Sequence, residues 1–156
     1  MAGTAVVGML SGCASPPYAL NPVGPGPGSA TGMQNSGYLK VYTATRTHEV
    51  GEQTFYYTHT GYSVYSESGK MVKYVPNHMD EEDQTPTVVD LPSGNYRIEA
   101  KSDLYSSVLV PVVIQDGRTT EIFLDSSWKP PTDVSQDQIV TLPNGEAVGW
   151  RSAATN

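Results

Sequence analysis

The chain has 156 residues, a length that suits one domain, and a formal net charge of −7. That balance, without clustered Lys and Arg, excludes a nucleic-acid backbone as the main ligand. No stretch approaches the roughly 18 consecutive apolar residues of a membrane-spanning helix, so the mature chain is not expected to cross a bilayer.

Met1 to Gly37 contains no Asp, Glu, Lys or Arg, and Lys40 is the first charged residue. Within this stretch Ala5-Val6-Val7-Gly8-Met9 is apolar, and Leu10-Ser11-Gly12-Cys13 holds the single cysteine, which has no partner for an internal disulfide. An apolar run ending in small residues has the character of a signal peptide. The pattern Leu, small, Gly, Cys resembles the lipobox of bacterial lipoproteins. That resemblance implies a signal peptide at 1–12, a diacylglyceryl group on the Cys13 thiol, and a membrane as the chain's first partner at the cell envelope. Each buried acyl CH₂ is worth about 0.8 kcal/mol, so two or three chains give a stable anchor. Ala14 stands where the family's inner-membrane retention signal places Asp, which in a Gram-negative cell implies the outer membrane. The segment departs from the family in lacking a basic n-region, which points to a start lying upstream. The competing reading of Cys13 is an incidental cysteine in a loose leader.

Ser15-Pro16-Pro17-Tyr18 and Asn21 to Ser29 are rich in Pro and Gly without a collagen period. This composition predicts a tether over 13–37, long enough to hold a domain clear of headgroups. From Tyr38 short alternating segments begin. Leu39 and Val41 fall on one face of a strand, with Tyr38, Lys40 and Tyr42 on the other. Thr45 to Gly61 is polar and ambiguous. Glu67-Ser68-Gly69-Lys70, between Gly61–Tyr65 and Met71–Val75, has hairpin-turn chemistry. Pro76 to Pro86, with Asp80-Glu81-Glu82-Asp83, is a predicted loop. Thr87 to Leu91 is a strand closed by Pro92-Ser93-Gly94, and Tyr96, Ile98 and Ala100 alternate with polar residues beyond it. Val108 to Ile114 is continuously apolar and is expected to be covered on both faces or central in the fold, with Pro111 at a bulge or facing away from a neighbouring strand. Asp116-Gly117 turns the chain into Thr119 to Leu124.

About seven strands at 8–12-residue spacing, with no helical period, predict an all-β antiparallel β-sandwich over 38–128. Val89 to Ala100, with its Leu91-Pro92-Ser93-Gly94-Asn95-Tyr96 corner, followed by a Val-rich strand and Asp116-Gly117-Arg118-Thr119-Thr120, resembles the transthyretin-like modules. These include the carboxypeptidase regulatory-like and PEGA domains of bacterial surface proteins. The likeness spans about 40 residues and is structural; in that family such modules are accessory or adhesive. The tail, 129–156, holds an Asn144-Gly145 hairpin signal at 139–150. A lone hairpin is marginal in water, so this one must dock on its own sandwich or on a partner.

Candidate chemistry is sparse. His48, His59 and His78 have no zinc-site spacing, and Asp80 to Asp83 lacks the pattern of a calcium loop, so no metal and no cofactor is implied. No Gly-x-Ser-x-Gly elbow is present, and a domain of this size leaves little room for a catalytic cleft, so an enzyme is not expected. The ten tyrosines are the unusual feature. Tyr56, Tyr57, Tyr62, Tyr65 and Tyr74 cluster, and exposed tyrosines mark binding surfaces because the ring stacks while the hydroxyl hydrogen-bonds. The alternative is that they are ordinary strand residues on a half-exposed face. The reading is a non-catalytic envelope lipoprotein whose sandwich binds an envelope protein or polysaccharide. A carbohydrate-binding module using those tyrosines is the alternative.

Overall fold

The computed structural model describes residues 20–28, 35–77 and 85–153, with the side chains of 46–50 and 53–58 outside the description. Cys13 and the expected signal peptide lie outside the described residues, as do His78 and Asp80 to Asp83. Among the described residues there are twelve strands, one short 3-10 turn at Gln136–Gln138 and no α-helix.

Alternation in the sequence becomes alternation in burial. In β2 (Ser36–Tyr42), Gly37, Leu39 and Val41 point inward, while Tyr38, Lys40 and Tyr42 are half-buried outside. The same period of two places Ile98 and Ala100 of β8 (Gly94–Ala100), Val110, Val112 and Ile114 of β9 (Val108–Ile114), and Thr120 and Ile122 of β10 (Thr119–Phe123) inside. Two sheets pack on this apolar set. The smaller has the order β10-β2-β7, with β7 at Val88–Pro92. The larger has the order β11-β12-β1-β9-β8-β5-β6. It adds β1 (Val23–Gly24), β5 (Tyr62–Ser66), β6 (Met71–Val75), β11 (Ile139–Thr141) and β12 (Ala147–Arg151). The two inner faces meet in one core running from Val23 and Leu39 through Val64, Ile98 and Val112 to Ile122 and Val148. The protein is an all-β sandwich. Both sheets are mixed, because β2 pairs in parallel with β10 and β1 with β9.

The Leu91-Pro92-Ser93-Gly94 corner carries the chain from the smaller sheet to the larger within one residue, since β7 ends at Pro92 and β8 starts at Gly94. Gly94 has φ 153, in a region reserved in practice for glycine. The Tyr96 hydroxyl donates to the Pro92 carbonyl at 2.8 Å and ties the corner shut. Both hairpin signals are realised. Gly69 at φ 85 turns β5 into β6, and Gly145 at φ 87 turns β11 into β12. The ambiguous Thr45–Gly61 stretch forms a further hairpin, β3 (Thr45–Val50) with β4 (Gln53–His59), which pairs with neither main sheet.

Two boundaries are corrected. Residues 13–37 do not form a tether throughout, because Val23 and Gly24 enter the larger sheet as β1 and Val23 is fully buried. The sandwich does not stop at 128 either, because β11 and β12 extend the larger sheet beyond β1. β1 is thus the link between the C-terminal hairpin and the rest of the sheet. Val23 lies opposite Val112 of β9 on one side and Arg151 of β12 on the other. Ser152 N–H donates to the Pro22 carbonyl at 2.8 Å, and the Arg118 guanidinium donates to the Gly26 carbonyl. Burying Val23 contributes about 2 kcal/mol.

At the end of the sandwich that carries the β3–β4 hairpin, a buried polar knot replaces ladder pairing. β7 accompanies β2 only as far as Lys40, and beyond that point the Asn77 side chain takes over. Its amide donates to the Val41 carbonyl and to Thr43 Oγ1, each at 3.0 Å, and its Oδ1 accepts from Thr87 N–H at 3.1 Å. Thr43 Oγ1 in turn donates to the Thr60 carbonyl at 2.6 Å. Asn77 has φ 63, a left-handed conformation that Asn tolerates better than most residues. Asn77→Ala is therefore expected to lower unfolding free energy by about 3 kcal/mol, from orphaned buried partners plus backbone strain. Asn77→Gly, which relieves the strain alone, is expected to lose about 2 kcal/mol, as read by urea denaturation.

Candidate functional site

The five tyrosines singled out in the sequence do not form one surface. Tyr62 begins β5 pointing inward beside Val64 and is 1 % exposed. It belongs to the core, which removes it from any binding surface. Its hydroxyl has no hydrogen-bond partner among the described residues, and burial pushes its pKa well above the ordinary tyrosine range. Tyr65 and Tyr74 lie on the opposite, outer face of the larger sheet, half-buried and 59 % exposed respectively. Tyr56 and Tyr57 lie in β4, and their side chains are outside the described residues.

The outer face containing Tyr65 and Tyr74 is organised by strand register into two cross-strand rows. One runs Tyr74, Ser63, Glu99, Leu109 across β6, β5, β8 and β9. The other runs Met71, Tyr65, Arg97, Pro111 across the same strands. Side chains directly opposite in neighbouring strands are within contact range, so each row is one patch. The rows are apolar at both ends: Met71 and Tyr74 are exposed on the edge strand, and Leu109 is 45 % exposed on β9. They are polar in the middle. Glu99 accepts from the Tyr65 hydroxyl at 3.1 Å and from Ser107 Oγ at 3.3 Å, which fixes its carboxylate. Arg97, exposed beside Tyr65, makes no hydrogen bond or ion pair among the described residues.

A second aromatic set lies outside the smaller sheet and was missed in the sequence. Tyr42 and Phe123 stack at 4.6 Å, Phe123 and Trp128 at 5.1 Å, and Trp128 meets Trp150 edge-on at 5.6 Å. The signal lay in the alternation, since Tyr42 and Phe123 occupy outward positions beside Val41 and Ile122. The Tyr42, Phe123 and Trp128 faces are engaged with one another, so this seam fastens Trp150 of β12 to the smaller sheet and presents no stacking platform of three open rings.

His59, one of the three histidines considered for metal binding, is a structural residue. It is 5 % exposed, its Nδ1–H donates to the Thr43 carbonyl at 2.7 Å, and its ring meets Tyr42 edge-on at 6.0 Å. His48 is in β3, and its side chain is outside the described residues. Among the described residues no three His, Cys, Asp or Glu side chains come together. Among the described residues the surface hollows include an apolar and a more polar one. The apolar one, of about 270 Å³, is lined by Leu20, Tyr105, Ser107, Val108, Leu109, Leu142 and Pro143. The more polar one, of about 280 Å³, includes Thr60, Lys101, Ser102 and Asp103. Asp103, the carboxylate among its described lining residues, accepts from Thr45 N–H at 3.3 Å.

Because the folded-state pKa of Tyr62 is raised, the stability that its buried neutral form contributes is complete below the unfolded value of about 10 and falls as pH rises past it. Tyr62→Phe removes both the unpartnered hydroxyl and this ionisation. The variant is expected to match or exceed the parent by up to about 1 kcal/mol at pH 8. Its advantage should widen between pH 10 and 11, as measured by denaturant unfolding at each pH. No family model, curated protein or solved structure matches the chain, so its function is read from its own residues and geometry.

Proposed function

We propose that this chain is a non-catalytic interaction module of the bacterial cell envelope, held at the membrane through a lipidated Cys13. The Leu10-Ser11-Gly12-Cys13 run supports the anchor, and Ala14 supports the outer membrane in a Gram-negative cell. The corner closed by Tyr96, where resemblance to transthyretin-like modules is strongest, supports an accessory sandwich.

One observation carries the interaction reading: the outer face of β6, β5, β8 and β9 is open. Met71, Val72, Tyr74 and Leu109 are each 45 % or more exposed around Arg97 and Glu99. Apolar ends around a polar centre follow the composition of a protein-binding patch, where aromatic residues, Met and Arg supply most of the contact energy. An envelope protein with an apolar strip and a carboxylate to meet Arg97 suits it best. A sugar polymer suits it less well, because, of the three candidate tyrosines whose side chains are described, Tyr62 is buried, while Tyr65 and Tyr74 lie on the face in different rows.

Cross-linking of the mature chain in its own envelope, followed by mass spectrometry, tests both parts. The expected result is a chain beginning at an acylated Cys13, joined to one partner protein. Tyr74→Ala with Leu109→Asp should reduce the adduct at least tenfold without lowering melting temperature. An unmodified chain retaining Met1 to Gly12 would overturn the anchor. An unchanged adduct in the double variant would overturn the assigned face, and equal retention on purified envelope polysaccharide alone would favour the carbohydrate reading.

A further inference from the structure

The Pro/Gly stretch that reads as a linker is a fitted insert. Its Val23 is fully buried against Gly149, where an added Cβ would come within 2.6 Å of Val23 Cγ1. Gly24 faces Ser152, whose Cα would lie 2.9 Å from a Cβ at that position. Gly26 faces the Trp150 indole, which a Cβ would meet at 2.8 Å. The two walls of the seat are the strand edges of β9 and β12, and both depend on this insert for pairing partners there. The seat therefore accepts an extended Val-Gly-x-Gly segment and rejects side chains at both glycine positions. Pro22, Pro25 and Pro27 around it keep the segment extended and its conformational entropy low.

Two hydrogen bonds made from the seat side also hold the insert, from the Arg118 guanidinium to the Gly26 carbonyl and from Ser152 N–H to the Pro22 carbonyl. The insert contributes two ladder residues, and β2 begins only at Ser36, leaving eleven residues between them. Fully extended, such a connection reaches close to 40 Å, well beyond one sandwich edge.

We propose that the β9–β12 seat is a strand-acceptor site, and that its occupant in trans is the Asn21–Gly28 segment of a second copy of this chain. The same residues meet the same seat in either arrangement, so exchange sacrifices no contact. What favours the internal arrangement is effective concentration, of order mM for two segments joined by a short stretch of chain. Exchange then grows as chain concentration approaches that value, as it does for proteins crowded on one surface. This proposal rests on the fold and stands apart from the reading of the outer face.

Two chains distinguish the arrangements, both carrying Cys13→Ser. One has Val23→Cys and the other Val112→Cys, positions directly opposite in the β1–β9 pair. Neither chain forms this bond within itself, so a mixed disulfide requires the insert of one copy in the seat of the other. Mixed at about 0.5 mM under a glutathione redox buffer, they are expected to give several-fold more heterodimer than a control pair carrying Ser68→Cys, in an exposed turn, in place of Val23→Cys. The yield should fall tenfold or more on dilution to about 10 μM, and should also fall with an excess of the synthetic Asn21–Gly28 peptide. Heterodimer at or below the control level would overturn the proposal, as would a yield insensitive to the peptide. Melting curves of the two single variants show that each is folded. If Val23→Cys proves unfolded, mixed 13C-labelled and unlabelled parent chains at about 0.5 mM supply the same readout through 13C-filtered intermolecular NOEs between Val23 and Val112 methyls.

Discussion

The continuity of the larger sheet depends on a single two-residue pairing. Val23 and Gly24 stand between β9 and β12, parallel to one and antiparallel to the other, and bring the C-terminal hairpin into the same sheet as the central strands. Backbone N–H and C=O groups buried along those two edges need partners, and an unpaired buried donor or acceptor costs roughly 1–3 kcal/mol. The insert supplies partners to both sides while its one large side chain fills the core beside Gly149. Every other feature at this end follows from that seating. Arg118 reaches the Gly26 carbonyl, Ser152 reaches Pro22, and the Trp128–Trp150 contact closes over the outside.

Two further devices compensate for strands of unequal length. Where β7 stops beside Lys40, Asn77 substitutes a side-chain amide for the missing ladder and joins β2, Thr43 and Thr87 into one buried network. Where the chain leaves one sheet for the other after Pro92, Gly94 supplies the backbone conformation and Tyr96 the hydrogen bond. Both lie in loops or corners, so the interface between the two sheets stays mainly apolar. The outer face of the larger sheet, proposed above as the binding face, is left exposed, with charge in its middle and Met71, Tyr74 and Leu109 at its margins.

Strands whose pattern is local were legible in the sequence. The alternation of Leu39 with Val41, the Tyr96–Ala100 run, the apolar Val108–Ile114 stretch and the turns at Gly69 and Gly145 all announce themselves within ten residues. Val23 does not, because its burial depends on Val112 and Gly149, about 90 and 126 positions away, and its Pro/Gly neighbours have the composition of a linker. The parallel pairing of β2 with β10 was hidden for the same reason. Tyr62 shows a different gap. It alternates with Val64, so the pattern that places one inside places the other there too, but grouping tyrosines by composition overrode that period. Tyr65 and Tyr74, related only through the β5–β6 pairing, needed the register before their common face could be seen.

Native-state hydrogen exchange tests the bridging role of β1 most directly. With Val23→Gly, the amides of Ile139–Thr141 and Ala147–Arg151 should exchange at least tenfold faster than in the parent chain, while those at the centre of β8 and β5 keep most of their protection. Unchanged protection in β11 and β12 would contradict the bridging role, because the hairpin would then be held without the insert.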